Sequence, residues 1–435
     1  MGCFTSFIVP PLLTEKGVDM VQNKSHHYDI DLIIDPKNQF IDASVNLTMY
    51  APSNGIDQLI FFLHRELNLI TLKGEKVQHY QFDKNAQPPF HYIPEAGKLT
   101  LELIEVLEKS EAYHIDFAYQ GKITKWPEWS ANVISEDWTE IGLYFPWFPY
   151  NPDLGDFTFA IEVKCEPAYT VCSYGKCQND GGLWQVNWDL PTNDIVLVMG
   201  KDIQQHSIEK AACKVHVNSV TLRQETAKTL MADVSSIIAN YDAWFSGPTP
   251  EEISIIQSPR KKGGGYSRRG LVVLGGLQDE HYVEHREGYT RYLGHELAHF
   301  WWHQANTASW EDWLNESFAE FSALMVVRQI FGEQSFEKRL AAKQETCVNS
   351  SPIWGVDRAD ISTENKRKSI EIALYKKGPL ILAELEDLIG KENFKLVCRE
   401  MISRGINTTR QFLDLLREIE SDSICQWMEM RLKES

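Results

Sequence analysis

The stretch Gly294-His295-Glu296-Leu297-Ala298-His299-Phe300-Trp301-Trp302 decides how the second half of this chain folds and what it can do. His295 and His299 are four residues apart, so an α-helix places both imidazoles on one face, where they can share a metal ion. Glu296 then lies beside the metal, where its carboxylate can act as a general base. The arrangement requires a helix, and the sequence predicts one over residues 288–304. A chance H-E-x-x-H on a surface helix is the alternative.

A third ligand is expected downstream, because zinc hydrolases hold the metal with three protein ligands and leave one position for water. The segment Asp312-Trp313-Leu314-Asn315-Glu316-Ser317-Phe318-Ala319-Glu320-Phe321 has a helical pattern and offers two carboxylates. Glu316 and Glu320 are four residues apart. One can therefore bind the metal while the other orients a ligand histidine. The residues alone leave the choice open.

Hydrophobic periodicity divides the chain into two regions. Residues 20–205 alternate apolar and polar side chains, as in Tyr28, Ile30 and Leu32, which predicts mostly antiparallel, half-buried strands. Residues 221–245 and most of the chain beyond 286 have helical spacing, with a short buried strand at 270–274. We predict an N-terminal extension at 1–19, a β-rich domain at 20–207 and a zinc peptidase domain at 208–435.

Composition excludes several classes of function. The 435 residues carry a net charge of −18, which argues against a general nucleic-acid binder because phosphate neutralisation needs clustered Lys and Arg. No stretch approaches the roughly 20 apolar residues of a transmembrane helix. The eight cysteines form no repeated C-x-x-C pairs, so we predict a cytoplasmic location.

The N-terminus carries one targeting pattern. Met1-Gly2-Cys3-Phe4-Thr5-Ser6 fits the myristoylation signal, and Cys3 could take a second acyl chain. Lipid anchoring through Gly2 or Cys3 is therefore one hypothesis. A chance match in an unstructured start is the interpretation that we favour.

Three motifs give the chain a specific resemblance. They are H-E-L-A-H followed by aromatic residues, W-L-N-E-S-F-A at 313–319 and Y-K-K-G at 375–378. In this order they resemble the alanyl-type zinc aminopeptidases of the gluzincin group, which include leukotriene hydrolase. Because the family's third ligand is the Glu of W-L-N-E, the resemblance selects Glu316 as ligand and leaves Glu320 to orient a ligand histidine.

The resemblance implies an α+β fold, in which an N-terminal antiparallel β domain with saddle-like sheets precedes a thermolysin-like, mainly α-helical catalytic domain. It implies one Zn²⁺ per chain, held by His295, His299 and Glu316, with peptides as substrates. It also implies that Tyr375 of Y-K-K-G donates a hydrogen bond to the oxyanion, a role that suits a phenol.

The chain departs from the family at the place where the substrate's α-amine is expected to bind. The family has G-A-M-E-N or G-G-M-E-N there, whereas this chain has Gly264-Gly265-Tyr266-Ser267-Arg268. Ser267 replaces the carboxylate, and a cation at Arg268 would repel an ammonium group. We still assign these five residues to substrate binding, together with Glu140 as a carboxylate from the β domain that could hold the amine.

Two departures concern length. Sixteen residues separate His299 from Glu316, two fewer than is usual in the family, so the loop between them is expected to be shorter. The sequence also ends near residue 435, soon after the catalytic helices. We therefore expect the family's additional helical domain to be absent and the cleft to be open or covered by a second copy in a homo-oligomer.

These observations predict a zinc-dependent, aminopeptidase-like hydrolase in which Glu296 is the general base. One alternative is a zinc hydrolase of the same clan that acts on internal bonds or on N-blocked or small amide substrates, which the altered Gly264–Arg268 segment suggests. A second alternative is a catalytically silent peptide-binding protein. The presence of both Glu296 and Tyr375 argues against it, since binding alone needs neither.

Overall fold

The computed structural model describes residues 25–435 except 52, 89, 91, 128–129, 211–212, 248, 261–264, 308, 348–349 and 357–362. Three predictions lie outside the described residues: the N-terminal extension 1–19, the lipid attachment at Gly2 or Cys3, and the substrate-binding role of Gly264.

The first half of the chain folds into strands wherever apolar and polar residues alternate. In β1, for example, Tyr28, Ile30, Leu32 and Ile34 are buried while the residues between them face outward. A 3-10 turn at Pro152–Leu154 interrupts the series. The strands are β1 (His26–Asp35), β2 (Phe40–Tyr50), β3 (Ile56–His64), β4 (Asn68–Gly74), β5 (Val77–Asp83), β6 (Ala96–Leu107), β7 (Ala112–Lys122), β8 (Val133–Ile134), β9 (Trp138–Ile141), β10 (Phe157–Lys164), β11 (Thr170–Cys172), β12 (Gln178–Asp180), β13 (Leu183–Thr192) and β14 (Leu197–Gly200).

These strands form three sheets. The largest has the order β12-β13-β10-β1-β2-β7-β4, a second has the order β11-β14-β9-β8, and a third has the order β3-β6-β5. Within the described residues of these sheets, β1 and β10 pair in parallel and the other pairings are antiparallel. The predicted mostly antiparallel β region is confirmed.

The second half begins with a mixed sheet and continues as helices. A 3-10 turn at Trp310–Asp312 and a π turn at Ala373–Lys377 lie among these helices. The elements are β15 (Gln204–Lys210), β16 (Cys213–Ser219), α1 (Gln224–Phe245), β17 (Glu252–Ser258), β18 (Tyr266–Arg268), β19 (Leu271–Gly275), α2 (Asp279–Glu284), α3 (Arg286–Ala298), α4 (Trp313–Phe331), α5 (Glu333–Thr346), α6 (Glu364–Ile372), α7 (Gly378–Ile389), α8 (Lys391–Ser403), α9 (Thr409–Ile419) and α10 (Asp422–Lys433).

The mixed sheet brings β18 next to the helix that carries the histidines. Its strand order is β15-β16-β17-β19-β18, so β18 forms an edge and pairs antiparallel with β19. β15 starts at Gln204 and pairs with β16, so this sheet begins shortly before residue 208, where the sequence places the domain boundary. The division into domains stays a prediction.

Helix α4 lies at the centre of the helical half. Every residue from Trp313 to Val327 is buried, including Glu316 and Glu320. A helix buried all round packs against neighbours on every side, here including α3, α5 and α7. Among the described residues, no helix combines the length and apolar character that crossing a membrane requires.

A buried ion pair joins α4 to α7, and removing it tests how much it contributes to the stability of the helical half. Arg328 donates to both oxygens of Glu386 at 2.6 Å, and the two side chains are 13% and 1% exposed. Glu386→Ala leaves a buried cation unpaired, so we expect a loss of about 3–5 kcal/mol in the free energy of unfolding, measured by urea titration.

The control is Glu418→Ala, which breaks a pair of the same geometry with Arg404 in which the side chains are 59% and 42% exposed. Solvent screens that pair, so its loss should lower the free energy of unfolding much less than the loss of the buried pair does. Equal losses in the two variants would show that burial does not determine the contribution of the α4–α7 pair.

Candidate metal centre

Helix α3 delivers the two histidines from its last turn. His295 is 4% exposed, and His299 is the residue that caps the helix, still with right-handed helical dihedral angles. Gly294 lets α3 approach its neighbours, because a Cβ there would lie 3.2 Å from the Tyr241 hydroxyl and 3.3 Å from Ala323. The prediction that the helix continues to residue 304 is wrong: it ends at Ala298, where short turns with bonds such as Phe300 N to Leu297 O at 3.1 Å replace it.

Helix α4 delivers Glu316, and the asparagine before it fixes the loop between the two helices. Asn315 exchanges two hydrogen bonds with the backbone of Ala305, at 3.1 and 2.9 Å, and its amide also donates to Asp312 at 2.9 Å. The loop is therefore bound to the first turn of α4. This gives the W-L-N-E motif a structural reason for its asparagine, independent of any metal.

The three predicted ligands converge. The nearest oxygen of Glu316 lies 3.4 Å from His295 Nε2 and 3.7 Å from His299 Nε2, and the two Nε2 atoms are 3.3 Å apart. Among the described residues, His295, His299 and Glu316 form the group of His, Cys, Asp and Glu side chains that could hold a metal ion. Tetrahedral zinc with bonds of 2.0–2.1 Å needs ligand atoms about 3.3–3.4 Å apart, so the donor set fits Zn²⁺.

The other nitrogen of each imidazole faces a partner. His299 Nδ1 lies 3.0 Å from the carbonyl oxygen of Trp302, and His295 Nδ1 lies 3.2 Å from a carboxylate oxygen of Glu320. Acceptors at both Nδ1 atoms favour the tautomer whose Nε2 lone pair faces the convergence point. Glu320 is thus on the far side of His295 from Glu316, and the two carboxylates occupy different positions around one ring.

Glu320 is buried among cations. Both of its oxygens accept from Arg291 at 2.7 Å, and it also accepts from Lys343. Burial alone would raise the pKa of Glu320, but Arg291 and Lys343 hold it well below its ordinary value. Burial likewise opposes protonation of His295, yet Glu316 and Glu320 raise its pKa to about 10. The carboxylates therefore create a negative potential at this imidazole, which favours a bound cation.

Glu296 is 1% exposed and belongs to the part of α3 that contacts β18. Its backbone carbonyl accepts from the Ser267 hydroxyl at 3.2 Å. The Tyr292 phenol adjoins its carboxylate: burial and then the Glu296 charge raise the Tyr292 pKa well above its ordinary value. Gly265 makes room for this phenol, since a Cβ there would lie 2.7 Å from the Tyr292 oxygen and 2.3 Å from Val273 O.

Tyr375 lies on the π turn Ala373–Lys377, with its ring centroid 5.7 Å from that of His295. Lys343 Nζ donates to the backbone carbonyl of Tyr375 at 2.8 Å, and Ser317 Oγ donates to that of Leu374 at 2.7 Å. Gly378 allows α4 to approach this closely, because a Cβ there would lie 1.9 Å from Ser317 Oγ. The glycine of Y-K-K-G is therefore a packing requirement.

The residues predicted to bind substrate have separate environments. Glu140 is fully buried on β9, where one oxygen accepts from Trp138 Nε1 at 3.0 Å and from Ser258 Oγ at 2.9 Å. Its other oxygen lies 3.9 Å from Arg260 Nη2. Ser267 and Gly265 lie beside α3, whereas Tyr266 is buried on the opposite side of β18.

Arg268 has an internal partner, which the sequence did not suggest. Its guanidinium donates to Asp194 at 2.7 Å, with the two side chains only 3% and 1% exposed, and to Ser267 O at 2.8 Å. Its charge also lies 5.2 Å from the ring centroid of Tyr144 and 5.1 Å from that of Tyr266. The expected repulsion between Arg268 and a substrate ammonium is therefore largely compensated within the protein.

Sequence reasoning missed the two cations at Glu320. Arg291 is four residues before His295, so the helical spacing used for the histidines could have placed it on the same face. Lys343 is on α5, and nothing local in the sequence links it to Glu320 or to Tyr375.

Comparisons with known proteins extend these observations. Residues 276–431 match the model of the Peptidase family M1 domain. Probable aminopeptidase 1 of Saccharolobus solfataricus is 26% identical over 173 residues, which are 37% of this chain and 22% of that protein. Endoplasmic reticulum aminopeptidase 1 of Rattus norvegicus is 26% identical over 262 residues, which are 55% of this chain and 28% of that protein. The chain thus spans less than a third of the length of these curated relatives.

Solved structures match nearly the whole chain. A two-domain M1 zinc metallopeptidase bound to tryptophan has a TM-score of 0.70 at 16% identity, covering 98% of this chain and 97% of that one. An M1 zinc metallopeptidase from Deinococcus radiodurans has a TM-score of 0.68 at 17% identity, covering 94% and 93%. This likeness confirms the α+β fold, and the comparisons together confirm the resemblance to the gluzincin aminopeptidases.

The Glu320 cluster generates a prediction about metal affinity. Glu320→Gln removes the charge that orients His295 while keeping the shape of the side chain, so we expect zinc affinity to fall about 10–100-fold. Competition with a chromophoric chelator measures it. Glu337→Gln on exposed α5 surface is the control and should leave the affinity unchanged. Equal affinities in the Glu320 variant and the parent would contradict an orienting role for Glu320.

Proposed function

We propose that this chain, whose residues 276–431 match the model of the Peptidase family M1 domain, is a zinc-dependent peptidase with aminopeptidase-like activity. The observation that carries the proposal is the convergence of two imidazole nitrogens and one carboxylate at the spacing that tetrahedral zinc needs. Both curated relatives are named aminopeptidases, which supports cleavage at the amino end of a peptide as the specificity of this chain.

One Zn²⁺ per chain is the proposed cofactor, with His295, His299 and Glu316 as its ligands. When bound, Zn²⁺ supplies a Lewis acid that polarises a carbonyl and makes water a better nucleophile near neutral pH. Glu316 is completely buried and the histidine side chains are at most 10% exposed, so this chemistry would take place in surroundings that exclude most bulk water.

Two residues of the chain itself would take part in the reaction: one would transfer the proton and the other would stabilise the negative charge that develops. Glu296 would accept a proton from the attacking water and deliver it to the leaving amine. The Tyr375 phenol would donate a hydrogen bond to the oxygen that gains negative charge. The π turn supports this role, since such turns interrupt α-helices frequently at functional sites.

The chain departs from the family pattern where the substrate's amino end is expected to bind, and two observations favour the alternative specificity. Ser267 replaces the expected carboxylate, and Arg260 lies close enough to Glu140 to compensate part of its charge. Both features weaken an ammonium site. Hydrolysis of N-blocked peptides or small amides is therefore the second candidate function.

Several finer proposals accompany this function. The two-domain division at residues 207 and 208 is supported by two hydrophobic cores, one mainly from the β-rich half and one from the helical half. A homo-oligomer covering the cleft and a cytoplasmic location stay predictions. A catalytically silent peptide binder remains the third candidate, which the following variant distinguishes from an enzyme.

Glu296→Gln tests the reaction directly. The amide keeps the volume but cannot accept the proton, so we expect kcat to fall by about 10²–10⁴-fold while zinc content stays at the parent level. Peptide hydrolysis and metal analysis measure the two quantities on the same protein. Glu284→Gln, at a side chain 71% exposed on α2, should leave both unchanged. Parent-level turnover in the Glu296 variant would remove the proposed general base.

Whether the enzyme requires a free α-amine is tested with two peptides of the same sequence, one with a free and one with an acetylated amino terminus. If Glu140 holds the α-amine, the free-amine peptide should have at least a tenfold higher kcat/KM, and Glu140→Gln should reduce that preference, because a charge-assisted hydrogen bond is lost. A preference for the acetylated peptide would instead establish the second candidate function.

A further inference from the structure

The edge strand β18 and the turn after it present different residues to two regions of the protein. Tyr266 and Arg268 point away from α3, where Arg268 pairs with Asp194. Ser267 and Arg269 face α3 and the residues just after it: Ser267 contacts the carbonyl of Glu296, and Arg269 contacts Phe300. Arg269 therefore lies on the side of the strand that faces the candidate metal centre.

The aromatic contact of Arg269 links its charge to the segment that carries the proposed ligand His299. Its guanidinium carbon is 5.4 Å from the ring centroid of Phe300, which follows His299 directly in the chain. A peptide reaching the metal centre along β18 would pass this cation.

Arg269 lacks the partners that its neighbours have. Arg260 and Arg268 both form ion pairs, with Glu140 and Asp194, whereas no ion pair involving Arg269 occurs among the described residues. Its Nε is inaccessible to solvent and has no hydrogen-bond partner in that part of the chain. Asp156 interacts with it electrostatically without forming such a pair.

A half-buried guanidinium whose Nε has no acceptor is a costly arrangement unless an anion completes it. Burial lowers the pKa of Arg269, and the charge of Asp156 opposes this with a smaller effect. Both effects are those expected of a guanidinium that has lost hydration. The planar fork of a guanidinium matches a carboxylate, with which it forms two parallel charge-assisted hydrogen bonds. The Phe300 ring, 5.4 Å from the guanidinium carbon, limits the positions that this fork can take.

We propose that Arg269 binds a carboxylate of the substrate and thereby selects anionic peptides. The proposal rests on the proposed peptidase function and gives it a substrate class. A peptide can supply this carboxylate from an acidic side chain on the amino side of the cleaved bond or from its own carboxyl terminus. A carboxylate from either source would form the same hydrogen bonds with Arg269, so two sets of peptides are needed to distinguish the sources.

The experiment uses two peptide pairs with the full-length, zinc-loaded chain. The first pair is Glu-Ala-Ala-amide and Gln-Ala-Ala-amide, which differ in the charge of the first side chain. The second is Leu-Ala-Ala with a free or an amidated carboxyl terminus. We expect the charged member of one pair to have at least a tenfold higher kcat/KM, the gain typical of a hydrogen bond between charged groups.

Three variants establish whether Arg269 is responsible. In Arg269→Gln the preference should fall below about twofold, and in Arg269→Lys, which keeps the charge without the fork, it should be intermediate. The control is Arg410→Gln, which removes one positive charge from a side chain 88% exposed on α9 and should keep the full preference. Thermal unfolding verifies that each variant is folded.

Binding measurements test the carboxylate site even if the protein does not hydrolyse these peptides. The same peptides are titrated calorimetrically into zinc-loaded Glu296→Gln and into the double variant Glu296→Gln/Arg269→Gln. The charged peptide should bind with a lower Kd than its uncharged counterpart in Glu296→Gln, and this difference should disappear in the double variant. A charge preference that depends on Arg269 without hydrolysis in the parent would overturn the peptidase function and support the carboxylate site. Absence of any charge preference in the parent, or its persistence in Arg269→Gln, overturns the carboxylate site.

Discussion

The buried carboxylate of Glu320 joins the parts of the helical half on which the proposed chemistry depends. It lies on α4, faces Nδ1 of His295 on α3, and accepts from Arg291 on α3 and Lys343 on α5. Lys343 in turn donates to the backbone of Tyr375 at 2.8 Å. One charge cluster thus determines the orientation of a proposed metal-ligand ring and the position of the turn that carries the phenol. Such a cluster is stable only while every member keeps its partners, because an unpaired buried charge is strongly destabilising.

The π turn owes its position to close packing against α4 as well as to this cluster. Ser317 follows the proposed ligand Glu316 and contributes a hydrogen bond to Leu374 O at 2.7 Å. The absence of a side chain at Gly378 permits the approach. The W-L-N-E-S and Y-K-K-G segments are therefore one structural unit, and Ser317 supplies a contact between them.

The parts of this structure that could be predicted are those with a local signal. Alternation predicted β1, β2, β6, β7 and β10, and the spacing of His295 and His299 placed both rings on one face. The end of α3 at Ala298 was missed because the following turn uses bonds between residues three apart, which leave the apolar spacing nearly unchanged. Lys343, Asp194 and Arg260 meet their partners across long stretches of sequence, and no period or motif in a single sequence encodes such pairs.

The most direct measurement is the coordination of zinc in the loaded protein, by a crystal structure at the zinc absorption edge. We expect one Zn²⁺ per chain, bound at about 2.0–2.2 Å by Nε2 of His295, Nε2 of His299 and the carboxylate of Glu316, with Glu320 hydrogen-bonded to His295 Nδ1. Zinc bound by Glu320 in place of Glu316, or bound at a position away from these histidines, would contradict the arrangement on which the proposed function rests.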